Sequence, residues 1–304
     1  GNIIYQSSRK YQEEGSGGHR ELNPEVVISK VKEVLKDVAG DCIEGITAMA
    51  VTSLGESVVC LDKNNKVLAN SMLTGDDRGI SETQEIIKIL GADRIFETTG
   101  LPQNELYGLP KYMWLNRNTN AIKDAAAILY YEDFVGYILT GQRKVSYSSA
   151  ARSMAFDIRK FEWSEEFLKL AGIRKEQMSE PVPQCTVIGT ILPEMAEELG
   201  LNQDLKIVAG GHDQTCAALG SGLFMPEDGE CGMGTCEFMF TMLPRAMMTP
   251  YMKKNDFTCI PYVFPDTYLS SIEVTTCGAL KNWARDSIFQ DIYRKCQEEG
   301  RNFF

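Results

Sequence analysis

Apolar residues recur at Val26, Val27, Val31, Val34 and Leu35, with Pro24 where a first helical turn accepts proline. That spacing predicts a helix over 23–35. Three strand-like runs follow, at 46–51, 57–61 and 67–73. The polar stretch Asp62-Lys63-Asn64-Asn65-Lys66 joins the last two, and an Asn pair suits a hairpin turn. The chain is thus expected to open as a meander plus a helix. From 81 to 200 the pattern becomes mainly helical, with segments near 81–90, 109–116, 121–131, 134–139, 164–170 and 193–199. Gly141, Gly172 and Gly200 punctuate these as C-terminal stops. A second α/β block begins near Lys206, with strands at 236–243 and 268–274 and a helix at 279–289.

The start of that second block carries the chemistry. Val208-Ala209-Gly210-Gly211-His212-Asp213-Gln214 connects a short strand to a small-residue helix and sets Asp213 in the turn between them. The two glycines remove side-chain bulk and let another molecule approach the backbone. About twenty residues on, Gly232-Met233-Gly234-Thr235 offers a second tight loop whose amides and hydroxyl suit a phosphate. A carboxylate beside a phosphate loop is what phosphoryl transfer needs, because it orients the attacking hydroxyl and takes its proton. An aspartate there would equally serve as a helix N-cap. A lone histidine such as His212 is more often a structural group than a catalyst.

Length and composition set limits on this reading. A chain of 304 residues, 43% apolar, has room for about two domains with real cores. Its net charge of -11, with no Lys/Arg run, argues against nucleic acid as a partner. No apolar run approaches the roughly 18 residues of a membrane span. Nine cysteines without a Cys-x-x-Cys pair, and two histidines, speak against structural zinc, and no metal ligand is assigned. The scattered thiols fit buried cysteines in a reducing cytoplasm.

The ordered landmarks extend further. Glu21-Leu22-Asn23-Pro24, the turn Ser53-Leu54-Gly55-Glu56-Ser57, Asp76-Asp77-Arg78, Lys111-Tyr112-Met113-Trp114-Leu115, Leu139-Thr140-Gly141, Ser148-Ser149-Ala150-Ala151-Arg152 and Thr276-Cys277-Gly278-Ala279 occur in this order around the glycine-rich motif. Together they resemble the FGGY carbohydrate kinases over nearly the whole chain. The resemblance implies an α/β fold of two ribonuclease-H-like domains, of the actin/hexokinase kind, with the second incomplete. It divides the chain into a sugar-binding domain over 1–222 and the start of a nucleotide-binding domain over 223–304. It implies transfer of the ATP γ-phosphoryl, with Mg2+, to a hydroxyl of a sugar, polyol or sugar acid, and it admits a homodimer. By resemblance Asp213 is the general base, and Gly55, Glu56, Asp76, Arg78 and His212 lie on the sugar side. Gly234, Thr235 and Gly278 lie on the nucleotide side. For Asp76 and Arg78 a surface ion pair is the plain alternative, and for Glu56 a solvated loop carboxylate. The family's first strand, with its phosphate loop, and its C-terminal adenine segment are expected beyond the two ends. A sugar-binding homologue without catalysis, or an actin-like ATPase, are the competing readings.

Overall fold

A computed structural model describes residues 2–42, 45–233, 237–274 and 276–303. The strand Lys206–His212 lies at the centre of a three-stranded sheet. It runs parallel to Ala48–Ser53 and antiparallel to Val187–Thr190. The helix Tyr131–Thr140 packs here, and Val135 and Leu139 join Ile188, Leu199, Leu205, Ile207 and Ala209 in one buried cluster. Ile28, Val31 and Leu35 of the helix Pro24–Cys42 pack against the same cluster. This is the apolar stripe visible in the sequence, and the helix continues past the predicted end.

The parallel pairing slips by one residue near the site. Ala209 stands opposite Val51, but Gly211 stands opposite Thr52. Gly210 takes up the irregularity, and a Cβ there would fall 2.0 Å from the Val51 carbonyl oxygen. Only glycine permits this approach. The strand then runs directly into the helix Asp213–Gly220, so Asp213 is a first-turn residue and no loop separates the two elements.

Several expectations change. The predicted opening meander does not form, because Val58–Leu61 pairs with Ala127–Tyr130 and not with Ala48–Ser53. The predicted helix 121–131 divides into one turn, Ala121–Asp124, then the strand Ala127–Tyr130 and the start of the next helix. All four residues of that strand are buried, and a run buried on both faces shows no period. The third predicted strand shrinks to Ser71–Met72. The Asn turn holds: Asn65 is left-handed at φ 63, and the Asp62 amide donates to the Lys66 carbonyl at 3.0 Å. Gly141, Gly172 and Gly200 have φ of 71, 69 and 69, as helix stops do. Cys60, Cys259, Cys277 and Cys296 are buried, but Cys185 and Cys231 are exposed, so the expectation of buried thiols holds only in part.

From residue 229 a four-stranded antiparallel sheet forms in the order Gly229–Met233, Glu237–Leu243, Tyr268–Val274, Ile260–Pro261. It shares a core with the earlier chain. Phe240, Cys259, Ile260 and Leu269 are buried in one cluster with Phe96, Leu101, Tyr112 and Phe156. The Cys259 amide donates to the Gly100 carbonyl at 2.7 Å, and the Tyr268 hydroxyl donates to the Ile158 carbonyl at 2.8 Å. Among the described residues no helix is long and apolar enough to cross a membrane.

Candidate active site

A cavity of about 210 Å³ opens where the central strand meets its helix. Its polar lining comprises Glu56, Thr74, Arg152, His212, Asp213, Gln214, Ser271 and Glu273. Its apolar lining comprises Leu54, Leu106, Phe238, Phe240 and Ile260. Asp213 projects from the first turn of its helix, where the unpaired N–H groups favour negative charge. One oxygen, Oδ1, accepts the Gln214 amide at 2.6 Å and lies 3.2 Å from His212 Nε2. The side chain remains 48% exposed, which leaves Oδ2 accessible to the cavity. Burial holds the carboxyl above its ordinary range, and the Glu56 charge adds to this against the Gln214 amide and the Arg152 charge. A carboxylate with raised basicity and one open oxygen is equipped to accept a proton.

His212 is the last residue of the strand, with its ring buried. Burial, with the positive charge of Arg152 beside it, pushes the imidazole down to about 3. It is therefore neutral at physiological pH. Its backbone amide donates to Ser148 Oγ at 3.1 Å, and Nδ1 has no hydrogen-bond partner among the described residues.

Glu56 is buried and meets Arg152, whose Nε donates to Oε1 at 2.6 Å and whose terminal nitrogen contacts the same oxygen. Thr74 Oγ1 donates to the other oxygen at 3.3 Å. Burial alone would raise this carboxyl, but the Arg152 charge and hydrogen bond override it and bring it down to about 2. Gly55 makes room for the pair: a Cβ there would stand 2.4 Å from Arg152 Cγ and 2.7 Å from His212 Cδ2. The guanidinium also lies over the Tyr107 ring, 4.9 Å from its centre, a favourable cation–π placement.

Asp213, His212, Glu56 and Gly55 are therefore gathered in one place. Asp76 and Arg78 are not. They bind each other through Arg78 Nε to Oδ1 at 2.7 Å and a second bond at 2.5 Å. Arg78 further pairs with Glu21 at 2.7 Å and lies 4.9 Å from the centre of Trp114. Asp76 also accepts the Arg20 and Arg78 amides at 2.8 and 3.0 Å. Both are buried and neither lines the cavity, so the pair braces the turn and is not at the surface. Gly234 and Thr235 lie outside the described residues. Gly278 begins the helix Gly278–Ser287.

Arg152, Glu273 and Phe238 escaped the list of predicted site residues. Arg152 sits in a recognised landmark, and an arginine among serines and alanines, Ser148-Ser149-Ala150-Ala151-Arg152, was the available signal. Glu273 and Phe238 lie on later strands and carried no local mark.

A family model described as the N-terminal domain of the FGGY family of carbohydrate kinases matches residues 1–220. The chain belongs to the FGGY family. This FGGY chain is 30% identical over 292 residues to a xylulose kinase of Lactococcus lactis, covering 94% of this chain and 57% of that relative. The solved xylulose kinase of Lactobacillus acidophilus, with ligand bound, superposes with a TM-score of 0.84 at 24% identity, over 94% of this chain and 57% of that one. The glycerol kinase of Plasmodium falciparum with ADP gives 0.85 at 19% identity, over 97% and 62%. The fold is the α/β fold of the actin/hexokinase kind expected from the sequence. The chain spans somewhat more than half the length of the relatives it matches.

Proposed function

We propose that this protein serves an ATP-dependent carbohydrate kinase, in which a sugar or polyol hydroxyl enters the cavity and attacks the γ-phosphorus of ATP in line. Asp213 orients that hydroxyl and accepts its proton as the O–P bond forms and the bond to ADP breaks. The observation that carries this reading is an aspartate with one open oxygen, its basicity raised by burial, facing a polar cavity at a helix N-terminus. Glu56, Thr74 and Arg152 supply acceptors and donors for the acceptor's other hydroxyls. We read 1–222 as the sugar-binding domain and 223–304 as the beginning of the nucleotide-binding one. The first-turn amides of Gly278–Ser287 donate no hydrogen bond to the cap side chain and suit a phosphate oxygen, in keeping with a nucleotide on that side. Among the described residues no three His, Cys, Asp or Glu side chains gather to hold a metal.

The test is Asp213→Asn in the full-length gene product. The amide keeps the shape but cannot accept the proton, so turnover measured as ADP release should fall by about 100-fold or more. Acceptor binding measured by calorimetry should persist. Unchanged turnover removes Asp213 from the role of base. Binding with no turnover in the unsubstituted protein would leave a sugar-binding homologue as the better reading.

A further inference from the structure

The helix Tyr131–Thr140 carries two buried carboxyls side by side, and they reach in different directions. Asp133 serves its own surroundings. Its Oδ1 accepts the Tyr130 amide at 2.7 Å at the start of the helix, and Oδ2 accepts the Ser179 hydroxyl at 2.5 Å. Glu132 Oε2 accepts the Ser146 hydroxyl at 2.7 Å, while Oε1 has no hydrogen-bond partner among the described residues. Burial pushes this carboxyl up to about 7. A group so costly to bury, and only half satisfied, is a poor way to stabilise a fold.

The bonds beyond Glu132 lead to the site. Ser146 Oγ lies 3.2 Å from Ser148 Oγ, and Ser148 Oγ accepts the His212 amide at 3.1 Å. A serine hydroxyl has one hydrogen to give. Ser146 gives its hydrogen to Glu132, so Ser148 gives its own to Ser146. The lone pairs of Ser148 are then turned to the His212 amide. The acceptor at the carboxyl end thus sets the direction of the whole chain, from His212 through Ser148 and Ser146 to Glu132. It grips the strand Lys206–His212 just past the slip in register at Gly210, one residue before Asp213. The fit there is close, since a Cβ on Gly211 would stand 2.7 Å from Ser148 Oγ.

We infer that Glu132 is a positioning residue, which fixes through Ser146 and Ser148 the strand end from which Asp213 projects. None of the three lines the cavity, so the chain governs where the base stands and not what binds. The consequence for turnover rests on the kinase reading of Asp213. The hold on the strand does not.

Two full-length variants break the chain. Glu132→Met has no acceptor, and Ser148→Ala removes the link to the strand. Ser179→Ala is the control, because it takes the equivalent hydroxyl from the neighbouring Asp133. In the first two, kcat measured as ADP release should fall about 10-fold or more, with the acceptor KM within about 2-fold. The His212 amide should exchange with deuterium about 10-fold faster. The double variant should lose no more than the worse single one, because one chain is broken only once. Ser179→Ala should leave kcat and His212 exchange within about 2-fold. Ser148→Ala carries the same test if Glu132→Met does not fold. Unchanged kcat in Ser148→Ala overturns the inference. So does a double variant whose loss is the product of the single losses, or an equal loss in Ser179→Ala. These failures leave the kinase reading standing as long as Asp213→Asn is inactive. A protein that turns over in no form defeats the kinase reading instead, and His212 exchange alone then decides whether Glu132 holds the strand.

Discussion

Two buried carboxylate–arginine pairs share their chemistry and differ in what they leave free. Asp76 and Arg78 are sealed: Glu21, Trp114 and two backbone amides use up their remaining capacity. Glu56 and Arg152 are nearly as buried, yet they border a cavity, and among the described residues Glu56 Oε2 has only the long 3.3 Å bond from Thr74. Burial and pairing therefore do not distinguish a brace from a binding group. The unspent hydrogen-bonding capacity, and the direction in which it points, does. A buried charge that has used all its partners holds the fold together, and one with capacity left can engage a visitor.

The sharpest way to break this contrast is Asp76→Ala. It strands Arg78 beside a single remaining carboxylate, and should cost about 3–5 kcal/mol of stability, read from urea unfolding. Acceptor affinity of the protein that remains folded should stay within about 2-fold. A loss of affinity larger than the loss of stability would place Asp76 at the site after all.

Glu56→Gln should behave differently, with a stability loss of about 2 kcal/mol accompanied by acceptor binding weakened about 10-fold. Its pH dependence is specific. The folded carboxyl titrates at about 2, below its usual 4.5, so its stabilisation is fully present above the usual value and is lost as pH falls toward 2. The stability gap between the two proteins should therefore close across that window. A gap that stays constant would show that the Arg152 charge does not govern this group.

Gly55→Ala tests the same pair through its footing. The added methyl must displace Arg152 or His212, at about 1–3 kcal/mol, and should weaken acceptor binding more than it slows turnover at saturation. The smallest effect belongs to Trp114→Leu. Losing the ring beneath Arg78 should cost about 1 kcal/mol, with no change in acceptor affinity.

Much of the fold was legible because its signals are local. The stripe of Pro24–Cys42 and the helix stops at Gly141, Gly172 and Gly200 each depend on neighbours in sequence. Pairing was not local. Val58–Leu61 finds its partner in Ala127–Tyr130, and a fully buried four-residue run that follows Ala125-Ala126 reads as a helix until that partner is known. The site divides in the same way. Asp213, His212, Gly55 and Glu56 lie in compact motifs that carry their own marks, and they converge on the cavity. Asp76 and Arg78 carry marks of the same kind, but nothing in a linear pattern says that Glu21 and Trp114 close over them. Arg152, Phe238 and Glu273 reach the cavity from segments far apart in the chain, and only folding brings them together.

The glycine crossing beneath the site has a consequence for how such a protein can diversify. A Cβ at position 210 would collide with the carbonyl of Val51, and that backbone leads within two residues to the turn that contributes Gly55 and Glu56. The platform under Asp213 thus has no neighbouring variants to explore, because every other amino acid at position 210 pushes two strands apart beneath that aspartate. New acceptors have to be accommodated from the opposite wall, at Leu106, Phe238, Phe240 and Glu273. There a changed side chain alters the shape and charge of the chamber and leaves the strand crossing intact. Variation between members with different acceptors should therefore collect on that wall, around an immobile crossing.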